Sequence, residues 1–542
     1  MLQIEMTNFK ITKKIFYQFL IPVVVAVVFE LINKGYEVST VYNFIENSLF
    51  SMILVSSVYF IVNRKLRLGY VILTFLVFCL AIYFETVYYY FFETYLSASS
   101  LFVVLDSNSS EAAEFLNFYV DRKVIIFSVL MLIIIVTSLL RFKSILSHSN
   151  KALTRTRIKI SIYMFLVLAF LKFSGLIVYN LAYLILKSTI EYTAESNKLG
   201  AYKTNKTGDF NNVSRPISQE DEVYVIVLGE STSRSHFGLY DYSRQTTPKL
   251  NSIKDELIIY NDVISPHAHS IASITKILTL GNYEQPERIG EGSIIQLANK
   301  ANFETVWLSN QRPIGIYESL VTKIALSSNK SKFLTTTYGA HSKVKDAELL
   351  PELERVLSDD SSSKKFIIIH LMGTHASYVN RYPDTFNKFK DTPLSNYKSD
   401  ETSRIINHYD NAVLYTDFVV SEIIQKVKAL NTKSFVLYIS DHGEELFKDH
   451  NMAGHNEDIS TQDMYDVPFL LWQSEAYKKQ KELTVDANRP YMLDDLFHSL
   501  SDLLQISAQE VDVERSIFNE AFKSRKRIIL ESSEYEAYFN LD

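Results

Sequence analysis

Five apolar stretches before residue 190 constrain this chain more than anything else in it. They run roughly Phe16–Ile32, Leu49–Val62, Tyr70–Phe91, Val124–Leu140 and Ile160–Leu186. Most come close to the ~20 residues an α-helix needs to cross a bilayer. The second does so only if it begins near Phe44. The pattern predicts five membrane-spanning helices over residues 1–190. A cleaved leader is not expected, because no small-residue cleavage site follows the first stretch and further apolar stretches do.

The loops carry an orientation. Lys10, Lys13 and Lys14 precede the first stretch; Arg64, Lys65 and Arg67 separate the second from the third. Arg141, Lys143, Lys151, Arg155, Arg157 and Lys159 separate the fourth from the fifth. By the positive-inside rule these face the cytoplasm, whereas the other two loops are acidic (Glu37; Glu93, Asp106, Glu111, Glu114 and Asp121). Five crossings then place everything after about residue 190 outside the cytoplasmic membrane. Tyr88, Tyr89, Tyr90 and Tyr95 are expected to form an interfacial aromatic belt.

Composition narrows the remaining classes. A net charge of -6 without a long basic run speaks against nucleic-acid binding. Cys79 is the one cysteine of 542 residues, so neither a disulfide framework nor a cysteine-rich zinc site can form. Cys79 itself is expected as a packed thiol within the third span.

Residues 191–221 read as a polar connector whose start, Thr189–Lys198, extends the fifth span as an amphipathic helix. From residue 222 to 542 short β-rich runs recur between helical stretches: Val223–Leu228, Thr305–Leu308, Phe366–Leu371, Ser434–Ile439 and Val467–Trp472. Continuous apolar runs of this length suit strands buried on both faces of a largely parallel sheet, in an α/β/α layering. Chemistry in such sheets collects at the carboxyl ends of strands. There stand Glu230-Ser231-Thr232, then Gly373-Thr374-His375, then Asp441-His442-Gly443-Glu444. Three strand ends delivering Glu230, His375 and Asp441/His442 point to a metal site, since carboxylate oxygen and imidazole nitrogen are metal donors. His450 and His455 follow closely, either of them readable as a surface histidine.

With these motifs assembled, the chain resembles the phosphoethanolamine transferases of the bacterial envelope, in the alkaline phosphatase and sulfatase superfamily. The carrying segments are Val225 to Pro248, His370-Leu-Met-Gly-Thr-His375, Asp441-His-Gly-Glu444 and Asp494 to Leu500. The five spans followed by an outer α/β domain are also that family's layout. The resemblance implies a sulfatase-like fold, a periplasmic catalytic domain on an inner-membrane anchor, and one or two Zn²⁺ ions. Glu230, Asp441 and His442 match the family's metal ligands. Its nucleophile, usually threonine, is matched by Ser270, 40 positions after Glu230. His375 and His455 match histidines that touch the phosphate or a second zinc. Ser231, Thr232, Ser273 and Thr275 are rival hydroxyls, the first two better suited to cap a following helix. His267 and His269 are within reach of the site and are read as loop histidines.

The expected reaction is ping-pong. Ser270 takes phosphoethanolamine from phosphatidylethanolamine, and an acceptor on an envelope glycan or lipid, lipopolysaccharide core or lipid A, receives it. His375 or His455 would move the proton. The lack of periplasmic cysteines favours the core-type members. In the loop after the third span, Val103, Ser107 and Glu111 occupy the positions of the family's donor-lipid set; Ser107 and Glu111 keep the hydroxyl and the acid. Asn310 and Gln311, at the end of Thr305–Leu308, are further candidates for substrate contact. Two alternatives remain open: a phosphoglycerol transferase with the same site, and a silent lipid-binding membrane protein. Formylglycine sulfatase chemistry is disfavoured, because no Cys/Ser-x-Pro-x-Arg segment occurs.

Overall fold

The computed structural model describes residues 2–92, 95–96, 120–146, 154–198, 202–311, 320–334 and 344–541. They divide after Glu191 into two compact units.

The first unit is all helix: α1 (Leu2–Lys34), α2 (Val38–Ser56), α3 (Arg64–Phe92), α4 (Arg122–Leu146), α5 (Thr154–Phe173) and α6 (Leu181–Lys198). Among the described residues four helices, not five, are long and apolar enough to cross a membrane: Ile11–Lys34, Val38–Phe60, Arg64–Phe92 and Arg122–Leu146. The stretch Ile160–Leu186 is broken. Gly175 takes a left-handed φ of +78°, and a short 3-10 turn at Leu176–Tyr179 parts α5 from α6. α5 also carries Arg155, Arg157, Lys159 and Lys172, and the apolar run left in α6 is the short Leu181–Ile190. The inference from an odd number of crossings therefore fails. The second span, in contrast, starts well before Phe44 and gains length through the 3-10 turn Ser57–Phe60.

Spacing explains the bundle core. Ile15, Phe19 and Val23 of α1, Phe75, Cys79 and Ile82 of α3, and Phe127, Met131 and Ile134 of α4 recur at three- and four-residue intervals and are buried together. Phe19 meets Phe75 edge to face at 5.1 Å. Tyr89 and Tyr95 do not join an interfacial belt. They stack inside the bundle, centroids 4.7 Å apart, because the Tyr95 hydroxyl donates to Glu30 at 2.7 Å.

The second unit is built on one seven-stranded sheet: β1 (Glu222–Gly229), β2 (Leu257–Tyr260), β3 (Glu304–Ser309), β4 (Lys330–Phe333), β5 (Lys364–His370), β6 (Lys433–Ser440) and β7 (Phe469–Gln473). Across the sheet the order is β2-β7-β6-β1-β5-β3-β4. All pairings are parallel except those of β7, antiparallel to both β6 and β2. β1 alternates between two cores. Val223, Val225 and Val227 face α9 (Asp400–Lys428) and α8 (Leu349–Leu357), the latter following α7 (Ser270–Leu278) in the chain. Tyr224, on the opposite face, stacks on Phe435 at 4.6 Å and meets Tyr477 edge-on. Helices thus cover both faces, as parallel sheets require. Residues 202–221 are fastened to this unit: Tyr202 donates to the Ile289 carbonyl at 2.6 Å, and Phe210 stacks on Phe497.

Candidate active site

The site forms where β6, β1, β5 and β3 end side by side. The register pairs Gly229 with Ser440, Leu228 with His370, and Ser309 with His370. The residues that follow each strand therefore emerge within a few ångströms of one another.

Glu230 follows β1 and is the hub. Its carboxylate oxygens lie 2.9 and 3.0 Å from Ser270 Oγ; it also accepts from Ser231 Oγ at 2.7 Å and from Gln311 Nε2 at 3.0 Å. His442 Nε2 sits 3.3 Å from Glu230 Oε1, 3.2 Å from Ser270 Oγ and 3.8 Å from Asp441 Oδ2. The backbone fixes these groups. Asp441 Oδ1 accepts from the amides of Ser231 and His442, and His442 Nδ1 donates to the Gly443 carbonyl, leaving Nε2 aimed inward. Gly373 closes the floor with a left-handed φ of +51°; a Cβ there would fall 2.7 Å from the Glu230 carbonyl oxygen and 2.9 Å from its nitrogen. No side chain fits such an approach.

Ser270 is the first residue of α7, with His269 at the N-cap position making no side-chain cap, and is half-buried, whereas Glu230, Asp441 and His442 are buried. The unpaired first-turn amides of a helix favour an anion such as phosphate at this position. The rival hydroxyls are engaged elsewhere. Ser273 Oγ donates to the Asp441 carbonyl at 2.5 Å and Thr275 to the Ile271 carbonyl. Thr232 contacts the Glu230 carbonyl and Thr374. Ser231 adopts φ +57° and turns its hydroxyl onto Glu230, and the short 3-10 turn that follows, Arg234–His236, has Ser233 rather than Ser231 or Thr232 at its N-cap position.

These donors fit zinc. Tetrahedral Zn²⁺ with bonds of ~2.0–2.2 Å spaces its ligand atoms about 3.3–3.6 Å apart, and the atoms of Glu230, Asp441 and His442 lie within 4.8 Å of one another. Asp441 Oδ2 is buried without a hydrogen-bond partner, a costly state that a cation relieves. Without the ion, charge is redistributed. Burial, and then the Glu230 charge, push Asp441 up to about 7. Burial opposes ionisation of Glu230, yet the His442 hydrogen bond and charge hold it well below the usual range. Burial works against the His442 imidazolium, but Asp441 and Glu230 overcome it and lift its pKa to about 10.

The other candidates fall unequally. His455 packs on His442, ring centroids 4.3 Å apart, with Nδ1 3.2 Å from Glu444 Oε1. Glu444 in turn holds the Tyr378 hydroxyl. His375 lies in the turn after β5, beside Thr374, whose amide donates to the Glu230 carbonyl at 3.0 Å. Gln311 reaches Glu230. Asn310 does not: its amide donates to Asp346 Oδ1 at 2.8 Å. Asp346 also accepts from the backbone of Met372 and Gly373, so it sets the loop that carries His375. Neither Asp346 nor the Glu444 contact to His455 was legible beforehand, since only folding joins these distant positions. Ser107 and Glu111 lie outside the described residues. His450 sits apart, its amide 3.4 Å from Glu445 Oε1.

Comparison with known proteins gives the family and the fold. The sulfatase family model matches residues 222–506. Phosphoethanolamine transferase EptC of Escherichia coli K12 is 29% identical over 481 residues, which are 82% of this chain and 81% of that protein. The crystal structure of the C-terminal periplasmic domain of E. coli EptC, in complex with zinc, is 33% identical, covers 59% of this chain and 92% of that one, and superposes with a TM-score of 0.57. The integral membrane lipooligosaccharide phosphoethanolamine transferase A of Neisseria meningitidis, 20% identical, shares the fold over 94% of this chain and 97% of its own, with a TM-score of 0.67. This chain belongs to the sulfatase family and, within it, to the phosphoethanolamine transferases, which are phosphotransferases.

Proposed function

We propose that this protein is a zinc-dependent, membrane-tethered enzyme that takes phosphoethanolamine from phosphatidylethanolamine onto Ser270 and passes it to an envelope acceptor, the lipopolysaccharide core or lipid A. The observation that carries this reading is the Ser270 hydroxyl. It is half-buried at a helix N-terminus, within hydrogen-bonding distance of both Glu230 oxygens and His442 Nε2. Glu230, Ser270, Asp441 and His442 would hold the ion. When bound, zinc supplies a Lewis acid that lowers a hydroxyl's pKa and neutralises phosphoryl oxygens.

The chain's own groups do the rest. Ser270 Oγ gives up its proton along its hydrogen bond to the Glu230 carboxylate and attacks phosphorus; the new Oγ–P bond forms as the bond to the diacylglycerol oxygen breaks, in line. The first-turn amides of α7 receive the phosphoryl oxygens. His455, oriented through Nδ1 by Glu444, gives the departing glyceride oxygen its proton through the other ring nitrogen, then removes one from the acceptor hydroxyl or phosphate. The acceptor oxygen displaces Ser270 Oγ as the Oγ–P bond breaks, and the proton returns from Glu230 to restore the free hydroxyl. His375 contacts the phosphoryl oxygens from the β5 turn, and Gln311 steadies Glu230. Donor and acceptor are both lipid-anchored, so tethering the site to the inner membrane, on its periplasmic side, raises their effective concentration. The apolar helices and the periplasmic setting of the EptC domain support that location. The donor-lipid role of Ser107 and Glu111 belongs to this proposal too.

The test is a trapped intermediate. Full-length protein with zinc and phosphatidylethanolamine, without acceptor, is digested and analysed by mass spectrometry. A phosphoethanolamine adduct on Ser270, missing from Ser270→Ala, is the expected outcome. An adduct on another hydroxyl overturns the nucleophile, and an adduct formed only with phosphatidylglycerol overturns the head group.

A further inference from the structure

Beside Ser270 stands a second set of ligating side chains that the reaction above does not use. His267 Nδ1 lies 2.8 Å from Glu457 Oε1, and His269 Nε2 lies 3.7 Å from Glu457 Oε2. One donor atom from each of the three falls within 4.8 Å of the others. The side chains are only 12%, 10% and 11% exposed for His267, His269 and Glu457. His269 also keeps Nδ1 buried without a hydrogen-bond partner. A burial of this kind costs free energy unless something else occupies the space.

We propose that His267, His269 and Glu457 form a second divalent-metal site suited to Zn²⁺, separate from the Glu230–Ser270–Asp441–His442 set. Two imidazoles and one carboxylate are a donor set that binds zinc and leaves its fourth position open. Ligand atoms of tetrahedral zinc stand about 3.3–3.6 Å apart, inside the span found here. An outer partner is also in place. The Tyr283 hydroxyl lies 3.3 Å from His267 Nε2 and donates to the Pro266 carbonyl at 3.0 Å, so its lone pair is free to accept an Nε2–H. Tyr283 stacks on the His267 ring, which fixes the ring plane.

Lys276 is the competitor. Its ammonium lies 2.8 Å from His267 Nε2. In the metal-free state it donates there, and His267 donates from Nδ1 to Glu457. A metal at Nδ1 moves the ring proton to Nε2, and Lys276 must withdraw. The Tyr283 ring, whose centroid is 4.6 Å from the ammonium, offers a cation–π berth. Because His269 directly precedes Ser270, the ion would sit beside the nucleophile, and its open position suits an anionic oxygen such as a phosphate. The metal count itself is independent of donor and acceptor.

The experiment uses the full-length protein in detergent, stripped with a chelator, reloaded with Zn²⁺ alone and desalted, with zinc counted by mass spectrometry. The expected result is two ions per chain in the wild type, and one in Glu457→Gln and in His269→Gln. Asp441→Asn should lose the other ion. Lys276→Met should keep both and bind the second several-fold more tightly against a competing chelator. That variant decides the matter if the Glu457 and His269 changes fail to fold. The proposal is overturned if wild type and Lys276→Met each hold one ion. It is equally overturned if Glu457→Gln still holds two and the second is lost instead on substituting His375 or His455.

Discussion

Two buried glutamates, one in each unit, look alike until their neighbours are compared. Glu85 in α3 is 3% exposed and Glu230 after β1 is 1% exposed. Each accepts a side-chain amide at 3.0 Å, from Asn47 and Gln311 respectively. Glu85 takes the backbone of Leu181 besides, and its neighbours Glu46 and Glu30 are tied by Asn180 at 2.8 Å and Tyr95 at 2.7 Å, so the acids of the bundle join one segment to another. Glu230 also meets the hydroxyl of its neighbour Ser231, the Ser270 hydroxyl brought by α7 and the His442 imidazole that follows β6. Burial of a carboxylate does not mark a reactive site. Convergence of several chain segments with exchangeable donors does.

The sharpest way to break this comparison is one substitution made twice. Glu230→Gln should lose zinc and turnover, whereas Glu85→Gln keeps an acceptor for Asn47 and should leave activity within about twofold, a surface-like change in effect. Ser270→Ala belongs with the first: turnover should fall by more than about 10³-fold with zinc retained, read by lipid product formation and metal analysis. Next comes pH. Zinc must displace the proton that His442 holds up to about 10. Affinity should therefore fall about tenfold per pH unit from 10 toward 7, and more steeply below 7, where Asp441 also takes a proton. Chelator competition at several pH values reads this slope, and a flat profile would sink it.

Smaller effects sharpen the contrast in packing. Ile369→Ala, in the sheet core, should cost about 2–5 kcal/mol of stability, while Ile126→Ala, 68% exposed on α4, should change the detergent melting curve little. Asn47→Ala should cost only about 0.6–1.7 kcal/mol, as interhelical hydrogen bonds do. The smallest effect concerns His498. Burial and Arg515 push it down to about 3, and its Nδ1 accepts the Asp512 amide at 3.2 Å. The neutral ring's stabilisation is fully present above its ordinary 6.5 and is lost as pH falls from there toward 3. His498→Asn should flatten that part of a stability–pH curve.

What the sequence made legible follows from how each residue is held. Continuous apolar runs such as Val223–Leu228 announce strands buried on both faces. β4, with its exposed Lys330 and Lys332, carries no such signal because it lies at the sheet edge. The fifth apolar stretch misleads because hydropathy does not register Gly175's left-handed turn. At the site, Glu230, Asp441 and His442 could be read from their positions at strand ends. Asn310 and Gln311 could not be told apart, since the local bend after β3 sends one amide to Asp346 and the other to Glu230. The Glu457 contact with His267 bridges 190 positions, a distance no local pattern spans.

Gly373 carries a last consequence. It offers no functional group, yet the Glu230 backbone fills the space a methyl group would need. In a population of random variants selected for growth on the enzyme's product, Gly373 should be purged as strictly as Ser270. A mutational map alone would list both as essential, and only metal and lipid assays on purified variants would separate the residue that reacts from the one that makes room.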